Sequence, residues 1–418
     1  MFKNINCKNL PSLRRNIVYQ FLYELLIVFI PLFTIPYVSR VLGAENIGLF
    51  SYTYAVANYF VLFANLGIKN YGSRTIAMVR NNKEELNRNF SEILSIHIIF
   101  SIIVIFVYLV LLFFFVEDNL VIFLIQSIYV FAAVFDINWF FFGIEKFKLT
   151  VGRNTLVKIL SVFLVLVFVK TQTDLWIYAL ILALSVFVGQ SVVWFALKQY
   201  VSWRRPSWAN MKQHIRPLFV LFLPILALSL YKYMDKIMLG SISSNVQVGF
   251  YENAEKIINV PMSLIMAFGV VLMPRIANMV TSKDKGEVFK LIDMSMEAVM
   301  LLAIAISFGL AGISFVLAPI FFGYEFEECG ILIMGLAVTV PFMAFANVIR
   351  TQYLIPYKED KIFVVSLFLG AAVNLIVNII LIPYMAARGA VIGTIFAEII
   401  VCIYPVSYTH MTLPTNSR

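Results

Sequence analysis

The amino-acid sequence predicts an all-α polytopic membrane protein of about twelve transmembrane helices in two six-helix lobes related by a parallel internal repeat. Three observations predict it. First, the 418 residues are 61% hydrophobic and 13% charged, with a mean hydropathy of +0.89. Soluble domains run near 45–50% apolar and about 25% charged, and have no place for so much apolar surface. Second, the apolar residues gather into runs of about 18 residues or more, the length a helix needs to cross hydrocarbon. Third, lysines and arginines concentrate in every second gap between those runs, as the positive-inside rule requires of alternating crossings.

Taken in order, the first run (16–38) follows Arg14 and Arg15. It has full span length and lacks the small-x-small exit of a cleaved signal, so it reads as a retained helix. GAENIG (43–48) leads into the second run, 46–68. A basic stretch with Lys69, Arg74, Arg80, Lys83 and Arg88 precedes 91–116. VEDN joins that run to 120–142. Lys146, Lys148, Arg153 and Lys158 surround the start of 153–169, and KTQTD joins it to 175–197.

Lys198, Arg204, Arg205, Lys212 and Arg216 then fill the gap between the two halves. The second half repeats the pattern with runs at 217–239, 249–272, 292–317, 329–349, 362–382 and 389–406. Its cation-poor connections are SISSNVQV, APIFFGYEFE and PYMAAR. Its basic ones carry Arg275, Lys283, Lys285 and Lys290, then Arg350, Lys358 and Lys361. With Lys3, Lys8, Arg14 and Arg15 at the start, 25 of the 32 cations lie on one side. That side is expected to be the cytoplasm, with the N-terminus in it, in an inner or plasma membrane. The lobes are expected at 1–200 and 201–406. The last stretch, SYTHMTLPTNSR (407–418), is polar and reads as a non-native or truncated end, against a genuine short tail.

The same residues exclude several functions. The net charge of +9 is explained by topology, so nucleic acid is not an expected partner. Three cysteines (Cys7, Cys329, Cys402) and three histidines (His97, His214, His410) are scattered, without metal-ligand spacing or a disulfide framework. No metal or other cofactor is expected. The cation-poor loops are about ten residues or shorter, too short to carry a catalytic domain, so the chain is not expected to be an enzyme. No ATP-binding motif is present, which leaves an ion gradient, the membrane potential or downstream consumption of product as the drive.

The halves look related. At an offset of 201, Gly48 matches Gly249, Asn58 matches Asn259, Arg74 matches Arg275, and Met78-Val79 matches Met279-Val280. YVSR (37–40) and YMDK (233–236) close the first helix of each half. Six helices separate the copies, so orientation is kept and a site is expected between parallel repeats. The second helix of each half carries a polar face: Ser51, Tyr54, Asn58 and Asn65 in one, Glu252, Glu255 and Asn259 in the other. Polar residues within spans face protein or a water-filled cavity.

The charges in YKYMDK (231–236) are expensive to insert, roughly 2.5–3.5 kcal/mol each near the bilayer centre. Lys232 and Lys236 share a face, Asp235 follows Lys232 by three, and Lys256 follows Glu252 by four. With Arg40 they admit two readings. One is a cavity with surplus cations for an anionic substrate, lysine being a competent phosphate binder. The other is a set of neutralised pairs, Lys232–Asp235 and Glu252–Lys256, that fix packing while Lys236 snorkels. Glu24 is the one acid expected deep in the first lobe, a position suited to ion coupling. Asp136 is placed at a packed kink in the fourth run.

Four segments resemble Wzx-type polysaccharide flippases of the multidrug/oligosaccharidyl-lipid/polysaccharide exporter superfamily. They are VLGAENIGLFSYTYAVANYFVLFANLGIKNYGSR (41–74), NWFFFGIEKFK (138–148), DKIMLG…VGFYENAEKI (235–257) and TQYLIPYKEDK (351–361). Their order and spacing match to about residue 404. The resemblance implies two six-helix lobes around a V-shaped cavity. It implies movement of an undecaprenyl-diphosphate-linked oligosaccharide from the cytoplasmic to the outer leaflet by alternating access, with polysaccharide polymerase and chain-length proteins as further partners. Family members often continue beyond this chain's end with further helices. Alternatives of the same superfamily are a cation-coupled multidrug antiporter and a lipid II flippase. A membrane glycosyltransferase or polymerase is the alternative of another class.

Overall fold

Inside hydrocarbon a backbone has no hydrogen-bond partner but itself, so each apolar run closes into a helix. The computed structural model describes the backbone of residues 10–281 and 285–412, and side chains from 30 to 407 apart from 31, 147–148, 231, 270 and 281–285. The first half comprises α1 (Leu10–Asn65), α2 (Ile68–Val79), α3 (Lys83–Phe115), α4 (Leu120–Val134), α5 (Asn138–Gly143), α6 (Phe147–Phe168) and α7 (Leu175–Leu197). The second half comprises α8 (Trp208–Ile242), α9 (Asn245–Thr281), α10 (Lys285–Phe322), α11 (Cys329–Ala337), α12 (Thr339–Val348), α13 (Asp360–Met385) and α14 (Ala387–Thr412).

Among the described residues, 11 stretches are long and apolar enough to cross a membrane. The first of them, Leu32–Val79, holds both the C-terminal part of the expected first span and the whole of the second. GAENIG, expected as a loop, is a kink at which one helix ends and the next begins. The chain passes through it with one break at Gly43, whose φ of 76° is a conformation that side chains rarely adopt. PYMAAR likewise holds a turn, shorter than the composition suggests: α13 ends at Met385, Ala386 turns the chain at φ 48°, and α14 begins at Ala387. At both places the expected connection is present but reduced to one non-helical residue. The tenth expected span is α11 and α12, prolonged by a π-helical turn over Ile349–Leu354.

Contacts divide the chain into two compact units. One is Met1–Thr34 with Val56–Ile225; the other is Ile35–Ala55 with Leu226–Arg418. In the first unit, Trp139, Phe140 and Phe141 of NWFFFG are buried, and Phe90 stacks on Trp139 at 5.6 Å between ring centroids. Gly72 is bare because the Trp139 ring lies where its Cβ would be. Asp136 sits at the break between α4 and α5, where its carboxylate accepts from the Asn138 backbone and side-chain amides. The connection after α7 is pinned down α3: Ser202 N–H donates to Asn87, Arg204 N–H donates to Ser91, and the Arg204 guanidinium pairs with Glu84 at 2.9 Å.

The first part of α8, up to Ile225, belongs to this unit through the turn at Gly67. A Cβ there would lie 2.9 Å from the Leu218 carbonyl oxygen. His214 draws in both α2 and α3. Its Nδ1 is 2.6 Å from the Tyr71 hydroxyl, and its Nε2 is 3.0 Å from Glu92.

In the second unit, α1 and α9 cross with their backbones in contact. A Cβ on Gly48 would stand 1.6 Å from the Asn245 carbonyl oxygen, and one on Gly249 would stand 2.1 Å from that of Ala44. The two contacts are images of each other at the offset of 201 that relates the halves in sequence. Small residues permit such approach between membrane helices. Nearby, Asn253 donates to the Ser39 hydroxyl at 2.9 Å. This crossing is why 35–55 groups with the second half of the chain.

Candidate functional site

The polar residues singled out in α8 and α9 converge in the second unit, with pairings that sequence spacing did not foretell. Lys236 is buried, and its Nζ lies 2.6 Å from Glu252 and 2.8 Å from Glu255. Glu252 also takes Lys256 at 3.1 Å across one helical turn, as expected. Two lysines and two glutamates therefore form one neutral network. Burying any one of these charges alone would be severely unfavourable, and the four are retained together because each has a partner. The expected snorkelling of Lys236 is corrected: two carboxylates hold its ammonium inside.

The expected Lys232–Asp235 pair is also corrected. Asp235 is 4% exposed and accepts hydrogen bonds from the Tyr251 hydroxyl (2.6 Å), Asn378 Nδ2 (2.6 Å) and the Thr394 hydroxyl (2.9 Å). Asn378 Nδ2 reaches Asn374 as well, at 3.1 Å. Lys232 is exposed, and its Nζ lies over the Tyr233 ring at 5.3 Å. Three donors on fixed helices satisfy a buried carboxylate without the entropy that a long lysine side chain would lose.

The other expected residues are spread more widely. Arg40 is exposed and donates to the Ile320 carbonyl oxygen at 2.5 Å. Glu325 on the neighbouring turn accepts from the Ala44 N–H. Ser51 is buried and Tyr54 half-buried, with Phe50 stacked on the Tyr54 ring. Asn259 is exposed beyond the cluster, at the end of the α9 polar face. Asn58 belongs to the first unit. The side chain of Glu24 lies outside the described residues.

Sequence reasoning passed over Tyr251, Asn374, Asn378 and Thr394. A usable signal existed in NLIVN (374–378), two amides at i and i+4 in a span. Buried amides in membrane helices are rare enough to mark a polar partner. Among the described residues no group of three or more His, Cys, Asp or Glu could hold a metal ion.

These features define a class, the multi-pass all-helical membrane proteins with paired charges held between their spans. The fold is similar to that of the solved "Lipid II flippase MurJ, inward closed conformation", with a TM-score of 0.74, 15% identity, and coverage of 96% of this chain and 88% of that chain. The chain belongs to the polysaccharide biosynthesis protein family, whose model matches residues 13–280. It is 24% identical over 407 residues to the "Putative O-antigen transporter" of Shigella dysenteriae, covering 94% of this chain and 98% of that one. It is 26% identical over 400 residues to the protein of the same description in Escherichia coli (strain K12), covering 94% and 95%.

Proposed function

We propose that the chain is a flippase that carries a prenyl-diphosphate-linked oligosaccharide, a repeat unit of O-antigen, capsule or exopolysaccharide, from the cytoplasmic to the outer leaflet. The observation that carries this reading is end-to-end similarity to two transporters described for O-antigen, on a fold like that of a lipid II flippase. The undecaprenyl carrier, the inner-membrane location, the cytoplasmic N-terminus and the two alternating lobes belong to the same proposal.

The physical task explains the polar residues. A diphosphate and its sugars lose hydration on entering hydrocarbon, and fixed polar groups must replace it. Lys232 and Arg40 are exposed and make no ion pair among the described residues, so they meet the phosphates first. Lys236 and Lys256 then exchange Glu252 and Glu255 for phosphate oxygens, while the prenyl chain stays in lipid. Ser51, Tyr54 and Asn259 extend the polar face of the second unit available to sugar hydroxyls, Asn58 offers an amide within the first unit, and Glu24 is a coupling position. Asp235 holds α8, α9, α13 and α14 together beside this path. No bond is made or broken, so no catalytic residue is assigned. The polymerase and chain-length proteins act on the product outside.

The test is a proteoliposome assay with a fluorescent prenyl-diphosphate oligosaccharide. The native chain should move it between leaflets, and Arg40→Gln/Lys232→Ala should slow movement about tenfold with insertion unchanged, the scale of one charge-assisted contact. A native chain that moves no substrate overturns the proposal. A chain that instead transfers or hydrolyses sugar assigns the enzyme alternative.

A further inference from the structure

We infer that the first unit carries a second anion site, which takes the phosphate-ester head of an amphiphile. It is a cavity of about 660 Å³ between α2, α3 and the first part of α8. That volume lies in the range of small-molecule sites, roughly 300–1,000 Å³. All of its wall belongs to one compact unit.

The sequence builds this wall by helical spacing. Tyr71, Arg74 and Met78 recur at three and four residues on α2, so they share a face. Glu85, Arg88 and Asn89 do the same on α3, and His214, Pro217 and Leu221 on α8. The three faces are locked at one end by the buried Tyr71–His214–Glu92 contacts, with His214 at 2% exposure and Glu92 at 1%. A histidine satisfied on both nitrogens by two different helices makes this a formed site rather than a crevice between mobile elements.

One helical turn from these contacts stand Arg74 and Arg88, both exposed and both lining the cavity. Neighbouring cations are already neutralised: Arg80 pairs with Glu145 and Arg204 with Glu84. Arg74 and Arg88 make no ion pair among the described residues, and one acid, Glu85, shares their rim. The cavity therefore presents a positive excess in guanidinium form, the geometry suited to bidentate phosphate contact. Gln213 adds an amide donor. Met78, Val220 and Leu221 form an apolar flank beside the arginines, which suits a head group attached to a hydrocarbon chain.

By the charge asymmetry of the loops this rim faces the side where a lipid-linked cargo is made, so the site deepens the proposed function and rests on it for the identity of the ligand. The amphiphile captured here would be a prenyl diphosphate. The head group of the bilayer's own anionic lipid has the same chemistry and is the other source.

The test measures binding of farnesyl diphosphate and of farnesol to the purified full chain in nanodiscs, some of phosphatidylcholine alone and some with phosphatidylglycerol. Farnesyl diphosphate should bind at least tenfold more tightly than farnesol, and Arg74→Gln/Arg88→Gln should remove that preference. Val220→Trp, which narrows the cavity without altering charge, should also weaken binding. If phosphatidylglycerol competes, the site holds a bilayer lipid; if it does not, the site takes the cargo. Equal binding of the two probes, or a preference unchanged in both variants, overturns the inference. Transport distinguishes this failure from failure of the proposed function. A chain that flips its cargo while the variants bind normally sinks only this site. A chain that binds diphosphate here but flips nothing sinks only the transport reading.

Discussion

The charge cluster of the second unit and the arginine-rimmed cavity of the first use similar residues to opposite ends. In the cluster, Lys236 and Lys256 are matched by Glu252 and Glu255 within 3.1 Å. At the cavity, Arg74 and Arg88 face a single acid on the rim. The difference follows from water. A buried ammonium must be paired to be tolerated at all, whereas an arginine at a wet rim can stay unpaired and keep its binding capacity. Paired charges hold helices together until a stronger anion displaces the carboxylate; an unpaired arginine binds on arrival.

The largest effect should come from breaking the cluster. Lys236→Met leaves half-buried Glu255 without a cation and should lower stability by about 3 kcal/mol, the low end for a broken buried pair, read as thermal unfolding in detergent. Adding Glu255→Gln should restore more than half of that, because Lys256 still serves Glu252. Simple addition of the two losses would mean that the three side chains do not act as one network.

An intermediate effect is expected at the base of the cavity. His214→Phe deprives Tyr71 and Glu92 of their partner and should destabilise by about 1–3 kcal/mol, the cost of leaving a buried polar group unsatisfied. The same measurement on Tyr71→Phe should give a smaller loss. A larger loss for Tyr71→Phe would place the weight of the triad on the phenol instead.

The smallest effect sharpens the contrast between buried and exposed cations. Lys232→Ala should change stability by less than about 0.5 kcal/mol, since the side chain is exposed and lies over the Tyr233 ring. A loss above 1 kcal/mol would restore the Lys232–Asp235 pairing that helical spacing suggests. Slowed transport with unchanged stability would mark Lys232 as a substrate contact.

Much of the fold was legible because hydrocarbon permits few solutions. A run of about 20 apolar residues must be a helix, and lysine and arginine placement orders the crossings. The offset of 201 between Gly48 and Gly249 was legible too, and the backbones of those two glycines meet in the folded chain. The ends of helices were less legible. GAENIG and PYMAAR have the composition of loops, but each connection shrinks to one non-helical residue between two helices, Gly43 and Ala386.

By itself the sequence determined the class of fold and the charged residues that the second unit must accommodate, because both follow from length, period or the cost of a charge in lipid. Partner choice was decided only by the tertiary structure. Spacing offered Lys232 to Asp235, but the carboxylate is satisfied by Asn378 and Thr394, 143 and 159 residues away. Lys236 likewise reaches across to α9 for Glu252 and Glu255. The cavity rim at Arg74 and Arg88 comes from three helix faces, joined where His214 meets Tyr71 and Glu92, 143 and 122 residues distant. Local period says which residues share a face of one helix. Which faces meet is set by packing over the whole unit, where fixed donors on neighbouring helices satisfy a buried charge better than a flexible neighbour one turn away.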